Sequence, residues 1–165
     1  MLHHVSVGVR DVDRAAVFYD AVLGALGYKR VMEFLPYAIA YGDQLPSFWV
    51  QLPHNQKAAS VGNGVHIGFM AFTKDAVKRF HTAALAKGGT SDGAPGPRPD
   101  YGPDYYGAFV IDLDGNKLEA TLTDASAKKK KNKAKMAKKP AKKVAPKKKP
   151  AAKAKKKKAK HKAKR

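Results

Sequence analysis

The sequence predicts an α+β fold of two β-α-β-β-β modules followed by a charged tail. Three observations predict it. A gapless offset of 62 aligns His4 with His66, Asp13 with Asp75, Phe18 with Phe80, Leu23 with Leu85 and Gly27 with Gly89, the mark of a duplicated unit. Each copy opens with strand alternation and then changes to helical spacing. Composition breaks near residue 125, dividing a folded region, 1–124, from a tail, 125–165.

In order along the chain, Val5 to Val9 alternates as a strand. Asp11 then caps a helix carrying Ala15, Ala16, Phe18, Tyr19, Val22, Leu23 and Leu26, with Gly27 as its stop. Three short strands are expected at Arg30 to Phe34, Tyr37 to Tyr41 and Phe48 to Leu52. The second copy opens at Val65 to Phe69, and Thr73 caps a helix with a Val77, Phe80, Ala84, Leu85 stripe before Gly88 and Gly89. Tyr106 to Asp112 and Lys117 to Thr123 form a hairpin around Asp114-Gly115. Between Gly88 and Tyr106, with prolines at 95, 97, 99 and 103, a fixed extended loop over a site is expected.

Side chains alternate across a strand, so His4, Ser6 and Gly8 oppose Val5, Val7 and Val9, and His66, Gly68 and Met70 oppose Ile67, Phe69 and Ala71. One face is bulky and suited to helices; the other is small and polar and leaves a cavity. Gln51 and Glu119 join the two histidines on that polar face. Two imidazoles and a carboxylate hold a divalent metal, Fe, Mn, Ni or Zn, with positions left for substrate. His3 shares the apolar parity, while His54 and His81 read as solvent-facing residues.

The basic balance belongs to the tail. Residues 128–165 carry 21 Lys and one Arg without an acidic residue, whereas the first 127 residues hold 11 Lys plus Arg against 13 Asp plus Glu. The tail has no aromatic residue and little else to bury, so it is expected to be disordered. Lys138, Lys139, Lys142, Lys143, Lys147, Lys148, Lys149, Lys155 and Lys156 belong to runs suited to phosphate backbones, hence to nonspecific nucleic-acid or other polyanion binding. There is no cysteine, which excludes disulfides and thiolate sites. Asp11, Arg14 and Asp20 argue against a signal peptide, and no apolar run has the length of a membrane span. A cytoplasmic protein is the expectation, with association with the nucleoid as what the tail would add.

The run His4-Val5-Ser6-Val7-Gly8-Val9-Arg10-Asp11, then Phe18-Tyr19, Leu26-Gly27-Tyr28, His66-Ile67-Gly68-Phe69 and Asp112-Leu113-Asp114-Gly115-Asn116-Lys117-Leu118-Glu119 resembles the vicinal oxygen chelate superfamily over residues 2 to 123. That superfamily includes glyoxalase I, extradiol dioxygenases and bleomycin-binding proteins. The resemblance implies paired modules forming a curved mixed sheet around a central metal cavity. It implies His4, His66 and Glu119 as metal ligands, with Glu119 also catalytic, and Gln51 where glyoxalase I enzymes commonly place a fourth, often acidic, ligand. A neutral Gln51 leaves Glu119 as ligand and base together, so lyase, isomerase and extradiol-type dioxygenase chemistry all stay open. Trp49, Tyr37, Tyr105 and Tyr106, with Phe34 and Tyr41, offer walls for an aromatic small molecule, and Arg98 offers a cation for an anionic group. Relatives often assemble as homodimers. The sequence therefore reads as a divalent-metal-dependent small-molecule enzyme with a polycationic tail. The alternatives are a metal-free drug- or metabolite-sequestering protein and a nucleoid-associated protein in which the tail does the work.

Overall fold

Two side-chain caps start the two helices around which the modules are built. In the computed structural model, residues 2–123 are described. The first module runs β1 (Val5–Gly8), α1 (Val12–Gly24), β2 (Lys29–Phe34), β3 (Ala38–Gly42) and β4 (Phe48–Gln51). The second runs β5 (His66–Met70), α2 (Lys74–Ala86), β6 (Thr90–Pro97), β7 (Tyr106–Ile111) and β8 (Lys117–Leu122). The strands form two four-stranded sheets ordered β1-β4-β3-β2 and β5-β8-β7-β6. In each, the first and last strands of the module are parallel and the other pairs antiparallel, so both sheets are mixed. The α+β class and the duplication hold.

Asp11 accepts a hydrogen bond from the Arg14 amide at 2.9 Å, and Thr73 one from the Ala76 amide at 3.1 Å. Each thereby satisfies an amide that the first helical turn leaves without a partner. Past α1 the chain turns at Gly27, whose φ of +91° suits a residue without a Cβ, and the Tyr28 amide reaches back to the Leu23 carbonyl at 3.0 Å. Val12, Ala15, Ala16, Phe18, Tyr19, Val22 and Leu23 of α1 are buried, as are Ala76, Val77, Phe80 and Ala84 of α2. These residues join Val7, Ile39, Val50, Val110 and Leu118 in one apolar cluster that spans both modules. At about 1.5–3 kcal/mol for each large side chain buried, this shared core is the principal term holding the modules together.

The stretch after Gly88 differs from the expected loop. Thr90–Pro97 is strand β6, antiparallel to β7, and Pro99–Tyr101 is a 3-10 turn. The prolines do not prevent this because β6 is an edge strand, where a missing amide hydrogen leaves no inner neighbour unpaired. The register shifts around Gly93 and between Gly93 and Gly96, and these bulges absorb residues that a regular ladder would reject.

The Asp112–Asn116 turn carries an interaction between modules that spacing did not reveal. Asp112 accepts from the amides of Asp114 at 2.9 Å and Asn116 at 2.7 Å, from Asn116 Nδ2 at 2.9 Å, and from the hydroxyl of Tyr19 at 2.6 Å. Asn116 Nδ2 also reaches the Gly8 carbonyl at 3.2 Å, and Arg10 Nε pairs with Asp114 at 2.6 Å. The turn that leads into β8 therefore binds α1 and the end of β1, holding the first module against the second. Among the described residues no helix is long and apolar enough to cross a membrane. The division at residue 124/125 and the lysines from Lys138 to Lys156 lie outside the described residues.

Candidate functional site

Register assigns each polar side chain to a face. In the first sheet Ser6 lies beside Trp49 and Gly8 beside Gln51, while Ala40 and Ala38 are their neighbours on β3 and Met32 and Phe34 follow on β2. This face is open: Phe34 is 56% exposed and stacks on Trp49 with ring centroids 6.1 Å apart. The opposite face, with Val5, Val7, Phe48, Val50 and Ile39, packs into the core. In the second sheet His66 neighbours Lys117, Gly68 neighbours Glu119, and Glu119 neighbours Phe109. The small-and-polar faces expected from alternation are thus present in both modules.

Glu119 is the feature that sets the second face apart, since it is only 3% exposed although it points to the open side. Its burial has a steric origin. A Cβ added at Gly68 would lie 3.5 Å from Glu119 Oε2, and one at Gly107 would lie 3.1 Å from Oε1, so the carboxyl group occupies space that two glycines leave free. Tyr105 donates its hydroxyl to Oε1 at 2.5 Å, and His66 Nε2 stands 3.3 Å from Oε2. Burial first, and the bond to Glu119 second, hold the Tyr105 phenol above its ordinary value, so it stays a proton donor. An open cleft of about 620 Å³ covers the group, lined by His66, Glu119, Tyr105, Phe109, Arg98 and Lys117 among others.

The expected residues divide into those gathered here and those placed elsewhere. His66, Glu119, Tyr105 and Arg98 share the cleft. Tyr101 lines it too, as do Phe109, Lys117 and Asp92, which the sequence did not mark as site residues; Lys117 shares the parity of Glu119, whereas Asp92 lies on β6, where the prolines predict a loop. Gln51 and Trp49 are on the other sheet's open face. His4 precedes β1, is exposed, and places its Nδ1 2.8 Å from that of His3. Tyr37 lines a separate cleft of about 780 Å³ with Arg10, His54 and Lys57. Tyr106 alternates with Gly107 and so takes the core side of β7, under Lys74 Nζ at 5.2 Å from its ring centroid. Tyr41 is a core residue bonded to Asp20 at 2.8 Å. His81 is not simply solvent-facing: it is half-buried, 2.8 Å from Ser91 Oγ, and burial lowers its pKa.

A metal ion fits half of this arrangement. Ligands bound at about 2.1 Å and 90–109° apart on one ion are separated by about 3.0–3.4 Å, which includes the His66–Glu119 spacing of 3.3 Å. A third donor does not join them from the same chain: among the described residues no group of three His, Cys, Asp or Glu side chains is placed to hold an ion. The expected convergence of His4, His66 and Glu119 within one chain is therefore not seen, because His4 belongs to the other sheet's open face.

The duplicated mixed sheets agree with comparison to known proteins. The profile of the Glyoxalase/Bleomycin resistance protein/Dioxygenase superfamily matches residues 1–120. The chain belongs to this superfamily. A glyoxalase/bleomycin resistance protein from Albidiferax ferrireducens T118 is 36% identical, with a TM-score of 0.66 over 74% of this chain and 98% of that one. A lactoylglutathione lyase from Agrobacterium tumefaciens, 19% identical with a TM-score of 0.51, matches over 74% of this chain and 92% of that one. A V278E glyoxalase I mutant from Zea mays, 22% identical with a TM-score of 0.57, matches over 77% and 47%. The last two share the fold alone at these identities. A comparison with curated proteins finds no match. Superfamily members bind small molecules, typically with a divalent metal, and often form dimers.

Proposed function

We propose that the chain is a small-molecule enzyme whose divalent-metal centre is completed by a second copy, with His66 and Glu119 from one chain and His4 and Gln51 from another. The observation that supports this most is the division of the donors. Two lie paired in the cleft of one sheet, two lie at the open face of the other, and among the described residues no further layer covers either open face. A two-fold dimer that sets the first sheet of one copy over the second sheet of the other encloses a cavity and covers the exposed Phe34 and the half-buried Trp49.

A bound ion supplies Lewis acidity toward an oxygen-bearing ligand. The protein side chains supply the rest. Tyr105 fixes one oxygen of Glu119 and leaves the other free to turn toward His66. Asp92 is engaged with Lys117 at 2.7 Å, so Glu119, held by Tyr105 and facing His66, is the cleft carboxylate without a Lys or Arg partner among the described residues and the group suited to take a proton. Because Gln51 is neutral, Glu119 has no second carboxylate to share that task, which favours an isomerase, lyase or dioxygenase other than the glutathione-dependent lyase. Equilibrium dialysis against Zn or Ni is expected to load one ion per chain of the native dimer, and His66→Ala or Glu119→Gln to abolish loading without unfolding. Native loading in both variants refutes the assignment.

The meeting of only two donors within one chain, His66 and Glu119, favours a second reading, metal-free sequestration of a small molecule against Trp49 and Phe34. Trp49 fluorescence that responds to ligand in the presence of chelator supports it. For the tail, the lysine runs support nonspecific binding to nucleic acid or another polyanion, which concentrates the domain on that polymer.

A further inference from the structure

We propose that the cleft carries a built oxyanion subsite centred on Arg98, and that the small molecule it accepts bears a carboxylate or phosphate group. This rests on reading the cleft as the ligand site. The guanidinium is fixed before any ligand arrives. Arg98 donates from one terminal nitrogen to the Ala94 carbonyl at 2.8 Å and from the other to the Pro97 carbonyl at 3.1 Å. Its carbon lies 5.6 Å from the centroid of the Phe109 ring. The β6 glycines make room for it: a Cβ at Gly93 would stand 3.3 Å from one terminal nitrogen, and one at Gly96 would stand 3.1 Å from the other. A guanidinium has five N–H donors, so three remain after these two bonds.

Charge distinguishes Arg98 from its neighbour. Lys117 is placed over the same ring, 5.1 Å from its centroid, but Asp92 neutralises it at 2.7 Å. Arg98 makes no ion pair with a carboxylate among the described residues. The cleft thus pairs one rigid, uncompensated cation with a floor of His66, Glu119 and Tyr105. A planar fork recognises two oxygens of one group, and a fixed fork loses little entropy in doing so. The substrate class is then a small acid whose oxyanion rests on Arg98 while a second oxygen-bearing group reaches Glu119 and His66.

The test follows the Nε–H resonance of Arg98 in the full chain by nitrogen-15 NMR, without metal, while inorganic phosphate or acetate is added against sodium chloride of equal ionic strength. A signal from Arg98 itself excludes phosphate bound by the tail lysines. A saturable shift with either anion and not with chloride is expected, and the tighter of the two assigns the group as tetrahedral or planar. Arg98→Lys, which keeps the charge but loses the fork, is expected to weaken binding roughly tenfold with melting unchanged within about 2 °C. Shifts that chloride reproduces, or equal binding by Arg98→Lys followed through the Tyr105 resonances, overturn the proposal. Since no metal is present, loss of metal loading in the dialysis experiment and loss of anion binding here are separate results.

Discussion

Asp112→Ala offers the sharpest prediction about how the two modules are held together. The substitution removes the acceptor for Tyr19 Oη, for Asn116 Nδ2 and for the amides of Asp114 and Asn116. Tyr19 is 1% exposed and Asp112 7%, so water does not readily replace what is lost. At about 1–3 kcal/mol for each buried donor left without a partner, the two most enclosed, Tyr19 Oη and the Asn116 amide, put the expected cost at about 4 kcal/mol. An unfolding entropy of about 2.1 cal/mol/K per residue over residues 2–123 converts this to a fall in Tm of about 15 °C. Tyr19→Phe alone leaves Asp112 its other three bonds and costs about 1–2 kcal/mol. In the double variant the orphaned hydroxyl is absent, so the two costs combine to about 1–2 kcal/mol less than their sum. Thermal unfolding by circular dichroism at several denaturant concentrations measures all four corners of the cycle. Additive costs, or a cost below about 1 kcal/mol for Asp112→Ala, refute the clamp.

Other consequences are open to direct measurement. Gly107→Ala places a methyl group 3.1 Å from Glu119 Oε1 and is expected to weaken metal binding about tenfold while leaving the fold cooperative; unchanged metal affinity contradicts the steric account of Glu119. Burial, first among the causes, raises the pKa of Tyr19, Tyr28, Tyr41 and Tyr105, so above pH ~10 the unfolded chain releases protons that the folded chain keeps. Stability is therefore full below that pH and falls as pH rises through it, and ultraviolet titration of the folded chain is expected to show at least four of the seven tyrosines ionising late. Diluting the protein through its dimerisation range is expected to shift Trp49 emission to the red as the open face meets water, whereas an emission maximum independent of concentration argues for a monomer. Retention on DNA is expected to fall with a slope of about 7 in log affinity per decade of salt if eight lysines meet phosphates, and a shorter chain ending at Ala125 is expected to lose it.

Much of the frame was legible because it depends on local rules. Alternation in Val5–Gly8 and His66–Met70 identified the faces, and Asp11, Thr73 and Gly27 act as the caps and stop their chemistry suggests. Strand β6 was hidden because Pro95 and Pro97 carry a loop signature that only an edge position overrides. The same loop signature concealed Asp92, and with it the neutralisation of Lys117 that leaves Arg98, among the described residues, as the cleft cation without a carboxylate partner. Glu119 and His66 were legible as site residues because each falls on the polar parity of its strand, and the parallel register of β5 with β8 is what brings them together. His4 was expected to join them on the strength of the repeat, but equivalence under duplication places residues in matching positions on two sheets, not at one point. The role of Asp112 was likewise out of reach, since its partner Tyr19 lies 93 residues away and nothing in the turn itself points to it.

Mixing His4→Ala chains with His66→Ala chains tests most directly whether the metal centre is shared between copies. Each variant alone lacks a ligand at every site, but a mixed dimer whose sites are shared rebuilds one intact centre from the His66 of one chain and the His4 of the other. After denaturation, mixing and refolding, metal content is expected to recover to about a quarter of the native value per chain, because about half of the dimers are mixed and each has one of its two sites intact. Zero recovery, with mixed dimers shown to be present by mass spectrometry, contradicts a centre built across the dimer.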